Sequence, residues 1–301
     1  MICESRFLQR HFVFGIEKRG RVGMTEFLAA AVQMDTKEDK EENLARAGKW
    51  IGEASENGAD LVVLPETMNY MGRDIVEMAE DIPGGETFCF LSDMARKHQI
   101  WVEAGSIYER NPEEPARPFN ATFLLDPAGK LVAKYRKLHM FDVELGNGVT
   151  SRESDRVCPG QEIVTADTPW CTLGLGICYD LRFGELFRLE VLQGAKVLCI
   201  PSNFTVNTGK DHWETLLKAR AIENECYVIA PNQIGKKPKF TAYGNSLIVD
   251  PWGTVIARSS DTEGVIYGKI DLAYVDKVRQ QTFTLKNRRP DVYGLELSSK
   301  K

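Results

Sequence analysis

From Phe27 to about residue 281, short apolar runs alternate with amphipathic stretches without interruption. The runs at 28–34, 60–64, 100–106, 172–177, 196–200, 226–230 and 264–270 have the length of buried strands. Between them, 40–56, 86–99, 184–193, 210–224 and 271–281 carry apolar residues at helical spacing, as with Leu44, Ala47 and Ile51 before a stop at Gly58. The runs 119–125 and 131–136 flank Asp126-Pro127-Ala128-Gly129, and 245–249 and 254–258 flank Asp250-Pro251-Trp252-Gly253, so both pairs read as strand–turn–strand units. Turns of this kind mixed with β-α-β units predict mixed sheets covered by helices, not a purely parallel doubly wound sheet. No Pro/Ser linker, charge block or repeat divides residues 24–285, which predicts one α/β domain over 24–301. Residues 1–23 differ: Arg6, Arg10, Lys18, Arg19 and Arg21 stand against Glu4 and Glu17. They read as an N-terminal extension outside the fold, and the two Glu weaken the alternative of a mitochondrial presequence.

Composition narrows the function classes. The 301 residues hold 38 Lys+Arg and 43 Asp+Glu, a net charge of −5, which disfavours a nucleic-acid partner. The apolar runs fall far short of the ~18 residues of a membrane span. Seven cysteines without regular spacing make no disulfide framework and point to a reducing compartment, the cytoplasm. GxxxxGK[ST], GxGxxG after a strand, HExxH, GxSxG and CxxC are all missing, and the four His lack metal-ligand spacing. Neither a metal nor an organic cofactor is expected.

Attention therefore falls on three strand ends. Cys178 follows Leu173-Gly174-Leu175-Gly176-Ile177 and precedes a helix, where α/β proteins place ligands. Strand phase puts it with Gly174 and Gly176, which leave room for another group. Against this, a cysteine is often only a small buried hydrophobe, the reading given to Cys89, Cys171, Cys199 and Cys226. Glu66 ends Leu61-Val62-Val63-Leu64-Pro65 in phase with Val62 and Leu64, where burial would raise its pKa toward acid–base use. A solvated loop carboxylate after Pro65 is the alternative. Lys137 shares a face with Leu131, Ala133 and Tyr135; it is either paired inside with a carboxylate such as Glu66 or solvated at a sheet edge. A thiol nucleophile needs a base, and its tetrahedral intermediate needs an oxyanion donor.

These residues lie in stretches that resemble the nitrilase, or carbon-nitrogen hydrolase, superfamily. The likeness covers about residues 27–295. It rests on Leu64-Pro65-Glu66, Tyr135-Arg136-Lys137-Leu138-His139-Met140-Phe141-Asp142 and Gly176-Ile177-Cys178-Tyr179-Asp180-Leu181-Arg182-Phe183. Ala219-Arg220-Ala221-Ile222-Glu223-Asn224, Tyr243-Gly244-Asn245-Ser246 and Asp250-Pro251-Trp252-Gly253 add to it. The resemblance implies a four-layer α-β-β-α sandwich with two mixed sheets, a homodimer, and a catalytic triad of Glu66, Lys137 and Cys178. It places a further glutamate at Glu153. The omega-amidase and deaminated-glutathione amidase branches are most similar, which implies a cysteine amidase releasing ammonia from a small carboxylate-bearing amide. A nitrilase or N-carbamoyl hydrolase with the same triad is the alternative. Expected substrate contacts are Tyr179, Arg182 four positions after the thiol, and Lys210 and His212 in a loop the resemblance places near the site. That loop, Gly209-Lys210-Asp211-His212-Trp213, departs from the Gly-Pro-Ala-His-Trp usual in both branches. Arg182 could instead pair with Asp180 or Glu185.

Overall fold

The computed structural model describes residues 25–145 and 149–297. The segment 1–23 lies outside the described residues. The first half runs β1 (Glu26–Gln33), α1 (Lys40–Glu56), β2 (Leu61–Val63), α2 (Glu86–His98), β3 (Trp101–Glu103), β4 (Ile107–Glu109), β5 (Phe119–Leu125), β6 (Leu131–Arg136), β7 (Asp142–Leu145) and β8 (Val149–Arg152). The second runs β9 (Thr165–Asp167), β10 (Thr172–Leu175), α3 (Gly184–Leu192), β11 (Ala195–Cys199), the single turn α4 (Val206–Thr208), α5 (Glu214–Asn224) and β12 (Tyr227–Ala230). It closes with β13 (Ile234–Lys236), β14 (Thr241–Tyr243), β15 (Leu247–Val249), β16 (Val255–Arg258), β17 (Gly264–Asp271) and α6 (Leu272–Thr282).

One sheet has the order β17-β1-β2-β3-β5-β4, with β6 also on β5, and the other β16-β15-β12-β11-β10-β9. Each has a parallel centre, β1-β2-β3 and β10-β11-β12, between antiparallel neighbours. Two small ribbons, β7–β8 and β13–β14, stand apart from both.

Alternation sorts the layers. On the first sheet Ala30, Val32, Val62, Val102 and Phe123 pack against Leu44, Ala47 and Ile51 of α1 and Leu91 and Ala95 of α2. The opposite face, with Ala29, Ala31, Leu61, Val63 and Leu124, shares a core with Leu173, Leu175, Val197 and Val228 of the second sheet. α3 and α5 close the far side through Phe187, Leu217 and Ala221. The result is the four-layer sandwich that the resemblance implies. α1 begins where it does because Asp39 caps it, accepting from the Glu42 N–H, and Glu41 and Glu42 sit in its first turn. Each fully buried leucine or isoleucine on its inner face contributes about 1.5–3 kcal/mol over exposure.

The structure corrects two boundaries. The strand expected over 100–106 is split, because Gly105 has φ +68° and its Cβ position lies 2.1 Å from the Pro65 carbonyl oxygen. Only glycine fits that approach. The helix expected from residue 210 starts as a wide π-type turn, Gly209–Trp213, and becomes regular at Glu214.

Candidate active site

Three backbone ends at the rim of the sandwich bring Glu66, Lys137 and Cys178 together. Glu66 does not arrive by strand phase. Val62 and Leu64 face the α1–α2 layer, whereas the chain leaves β2 after Val63 and turns through Thr67 at φ +53°. The turn is pinned: Thr67 N–H donates to Ser106 Oγ at 3.0 Å, and Gln233 Nε2 donates to the Glu66 carbonyl at 2.9 Å. The Glu66 side chain is buried, as an unpaired carboxylate would not be. Its Oε1 accepts from Lys137 Nζ at 3.1 Å and from Asn120 Nδ2 at 2.9 Å.

Lys137 is the first residue past β6. Lys134 and Arg136 alternate to the other face and both pair with Glu109. Lys137 turns inward beside Tyr135 and is only 2% exposed. Its ammonium also donates to Glu153 Oε1 at 3.1 Å and Oε2 at 3.0 Å. Glu153 opens the 3-10 turn Glu153–Asp155 after β8 and is held by the Phe141 N–H, which donates to its Oε2 at 2.6 Å. Burial opposes the lysine charge, but Glu153 and Glu66 outweigh it and hold the pKa well above the ordinary value. Lys137 is a fixed cation.

Cys178 begins the 3-10 turn Cys178–Arg182 at φ +48°, a backbone conformation rare for a residue with a side chain. Its N–H donates to the Pro201 carbonyl at 2.9 Å. The two glycines before it do not make room for a substrate. A Cβ on Gly174 would lie 2.4 Å from Glu190 Oε2 and one on Gly176 2.8 Å from the Phe187 ring, so they admit α3. The left-handed turn, not the strand phase, aims the thiol. The Glu66 carboxylate and the Asn203 backbone N–H both act on its sulfur. Burial pushes the thiol pKa well up and Glu66 adds to this, while Lys137 pulls it back only in part. The resting group is a neutral thiol.

Asp180 ties two of these ends together. Fully buried, it accepts from Tyr135 Oη at 2.7 Å, Ile177 N–H at 2.9 Å and His139 N–H at 3.0 Å, and lies 2.7 Å from His139 Nδ1. The His139 ring stacks on Phe183 at 3.6 Å. The strand end carrying Lys137 and the turn carrying Cys178 therefore share one buried carboxylate.

The cluster opens into a cavity of about 600 Å³. Six basic side chains line it (Arg73, Lys137, Arg152, Arg156, Arg182 and Lys239) against three acidic ones, Glu66, Glu153 and Asp155. On a chain of net charge −5, this local excess of positive charge favours an anionic guest. Tyr179 and Arg182 are on the wall. Arg182 pairs with neither Asp180 nor Glu185: its guanidinium lies 5.5 Å from the ring centroids of Tyr179 and Phe204, and Nη1 is 3.2 Å from His212 Nδ1. His212 and Lys210 are exposed and do not line the cavity; His212 approaches it only through Arg182. Among the described residues, no group of three His, Cys, Asp or Glu side chains converges as a metal site.

Sequence reasoning overlooked Asn120 and Gln233 and considered Asp180 only as a partner for Arg182. A signal existed for the first: Asn120 and Thr122 are polar at period two on the face of β5 that carries Leu124. Gln233 carried none, because its partners Thr36 and Glu66 are 197 and 167 residues away.

The sequence signature of the carbon-nitrogen hydrolase family matches residues 28–280, and the chain belongs to that family of enzymes. It is 41% identical over 278 residues to the nitrilase and fragile histidine triad fusion protein NitFhit of Caenorhabditis elegans, covering 90% of this chain and 62% of that protein. With Homo sapiens omega-amidase NIT2 it shares 38% identity over 277 residues, covering 91% of this chain and 99% of that protein. The C. elegans NitFhit structure superposes with a TM-score of 0.85 at 39% identity, over 92% of this chain and 68% of that one. Saccharomyces cerevisiae Nit3, a member of branch 10 of the nitrilase superfamily, gives 0.80 at 32% identity, over 89% of this chain and 98% of that one.

Proposed function

We propose that this carbon–nitrogen hydrolase is an amidase that releases ammonia from a small amide bearing a carboxylate, with Cys178 as nucleophile. The observation that carries the reading is Lys137 Nζ held between two carboxylates beside a buried neutral thiol, at the base of a cavity with excess positive charge. Likeness to omega-amidase NIT2 supports the amide. Glu66 takes the thiol proton as the sulfur attacks the carbonyl carbon. The oxyanion is stabilised by Lys137 and the Tyr179 N–H. Glu66 then returns the proton to the amide nitrogen, the C–N bond breaks, and ammonia leaves a thioester on Cys178. Water gives its proton to Glu66 and attacks the thioester; the acid leaves and the thiol recovers its proton. Glu153 fixes Lys137, and Arg182 receives the substrate carboxylate, for which a guanidinium is shaped. The cytoplasm remains the compartment we assign, since a nucleophilic thiol must stay reduced.

The cavity volume favours a second reading through the same thioester: a larger, N-substituted amide with two carboxylates, of the deaminated-glutathione type, reaching Arg73 and Arg156 and releasing a peptide amine in place of ammonia. The test is kcat/KM for succinamate, deaminated glutathione, a neutral amide of matched size and a matched nitrile. The account expects one of the carboxylate-bearing amides to be turned over best. Preference for the neutral amide or the nitrile would overturn it.

A further inference from the structure

Lys237 is a buried lysine that the chemistry above does not use. It follows β13 and starts the short turn whose Pro238, Lys239 and Phe240 form part of the cavity wall. Its side chain is 0% exposed. The ammonium donates to Asp35 Oδ1 at 3.0 Å, the Thr36 carbonyl at 3.1 Å and Gln233 Oε1 at 2.9 Å, so all three hydrogens are used. Its backbone N–H closes the turn, donating to the Phe240 carbonyl at 2.7 Å. Gln233 carries the network onward: Nε2 donates to Thr36 Oγ1 at 2.6 Å and to the Glu66 carbonyl at 2.9 Å.

We propose that Lys237 is a positioning residue that latches the Pro238–Phe240 wall to the end of β1 and, through Gln233, steadies the peptide that carries Glu66. It touches no reacting atom. The role rests on the reading of this cavity as the substrate site.

A lysine makes this latch proton-linked. Burial pushes its pKa down from 10.5 to about 8, with Asp35 opposing that shift, Lys37 adding to it and Glu263 opposing it more weakly. From α1, Arg46 bonds the Asp35 carbonyl and Glu263. If the wall swings out, the amine returns to water and to its ordinary value. Between about pH 8 and 10.5 the open form therefore holds one proton more than the closed form. Raising pH through that window favours the closed wall. Below it both forms are charged and opening is independent of pH.

Trypsin reads this opening directly, since Lys239 is exposed in the wall and Pro238 blocks cleavage after Lys237. The full chain is digested at pH 7 to 9.5, cleavage after Lys239 is followed by mass spectrometry, and rates are divided by those of a free peptide of the same sequence. For the wild type, protection is expected to be flat below pH 8 and to rise above it, approaching tenfold per pH unit. Lys237→Met should be cut faster at pH 7 and show no rise. Asp35→Asn, which keeps the shape but removes the attraction, should begin its rise at lower pH. In amide hydrolysis, Lys237→Met should raise KM by about fivefold or more with a smaller change in kcat.

Flat wild-type protection, or Lys237→Met cleaved like wild type, overturns the latch. An unchanged KM in a variant with weakened protection overturns the positioning role. If Lys237→Met does not fold, an onset unmoved in Asp35→Asn overturns the latch by itself. Should the wild type hydrolyse no amide, the functional reading fails while the cleavage arms still decide the latch.

Discussion

Lys137 stands at the centre of the site because two carboxylates need it as much as it needs them. On the proposed mechanism Lys137→Met removes one oxyanion contact, and it takes away the cation that sits between Glu66 and Glu153. We expect kcat to fall by about 10²–10³ or more, the cost of losing one oxyanion donor, and stability to fall as well. Steady-state kinetics and thermal melting check this; a change confined to KM would contradict the assigned role. Arg182→Met should raise KM for succinamate about tenfold or more while leaving a neutral amide nearly unchanged, the pattern of a lost binding contact. Equal losses on both substrates would mean that Arg182 serves the wall and not the carboxylate. At this scale strand phase misplaces two of the three residues that the structure brings together. Strand phase would have sent Glu66 toward α1 and α2; what brings Glu66 and Cys178 to Lys137 are left-handed residues at 67 and 178, which no periodicity reports. For Lys137 strand phase does hold through Tyr135, and of its two readings the structure shows the inward, paired one.

Along the elements, the long and strongly patterned ones were readable and the short polar ones were not. α1 lies at Lys40–Glu56 as its apolar spacing predicts, and β5–β6 pair across Asp126–Gly129 as expected. The ribbons β7–β8 and β13–β14 went unseen, because their strands of three or four residues are too short to set a period. They matter because residues of β8 and the turn after β13 line the cavity. The strand β3 hides another polar position. Glu103 faces the core between the sheets, bonded to Thr122 Oγ1 and the Gly105 N–H, and burial raises its pKa to about 8. The folded chain thus keeps a proton that the unfolded chain releases above about pH 4.5, so this group costs stability as pH rises from there to about 8. Glu103→Gln, which cannot ionise, should match wild type near pH 5 and melt at least about 2 °C higher near pH 8. Parallel melting curves across pH would contradict a buried neutral carboxyl.

The whole molecule carries surface that a monomer leaves uncovered. Leu192 on α3 and Phe283, Val292 and Tyr293 after α6 are exposed, the last two at 67% and 54%. We propose a homodimer through α3 and the segment 282–297, since exposed apolar groups of this kind gain from cover. Light scattering at micromolar concentration should give twice the chain mass, and a monomer would contradict it. The sequence displayed the layers because helical and strand periods are local. The inward charge at the rim of the sandwich depends on contacts such as Glu66–Lys137, 71 residues apart, and only the fold reveals them. All of the chemistry assigned here passes through a thioester on Cys178. The protein is mixed with succinamate, quenched in acid within the first turnover and weighed intact, then digested. The account predicts a mass gain equal to the substrate less ammonia, located on the peptide containing Cys178, and no gain and no ammonia release from Cys178→Ala. Ammonia release from that variant, or an adduct on Cys171 or Cys199 instead, would contradict it.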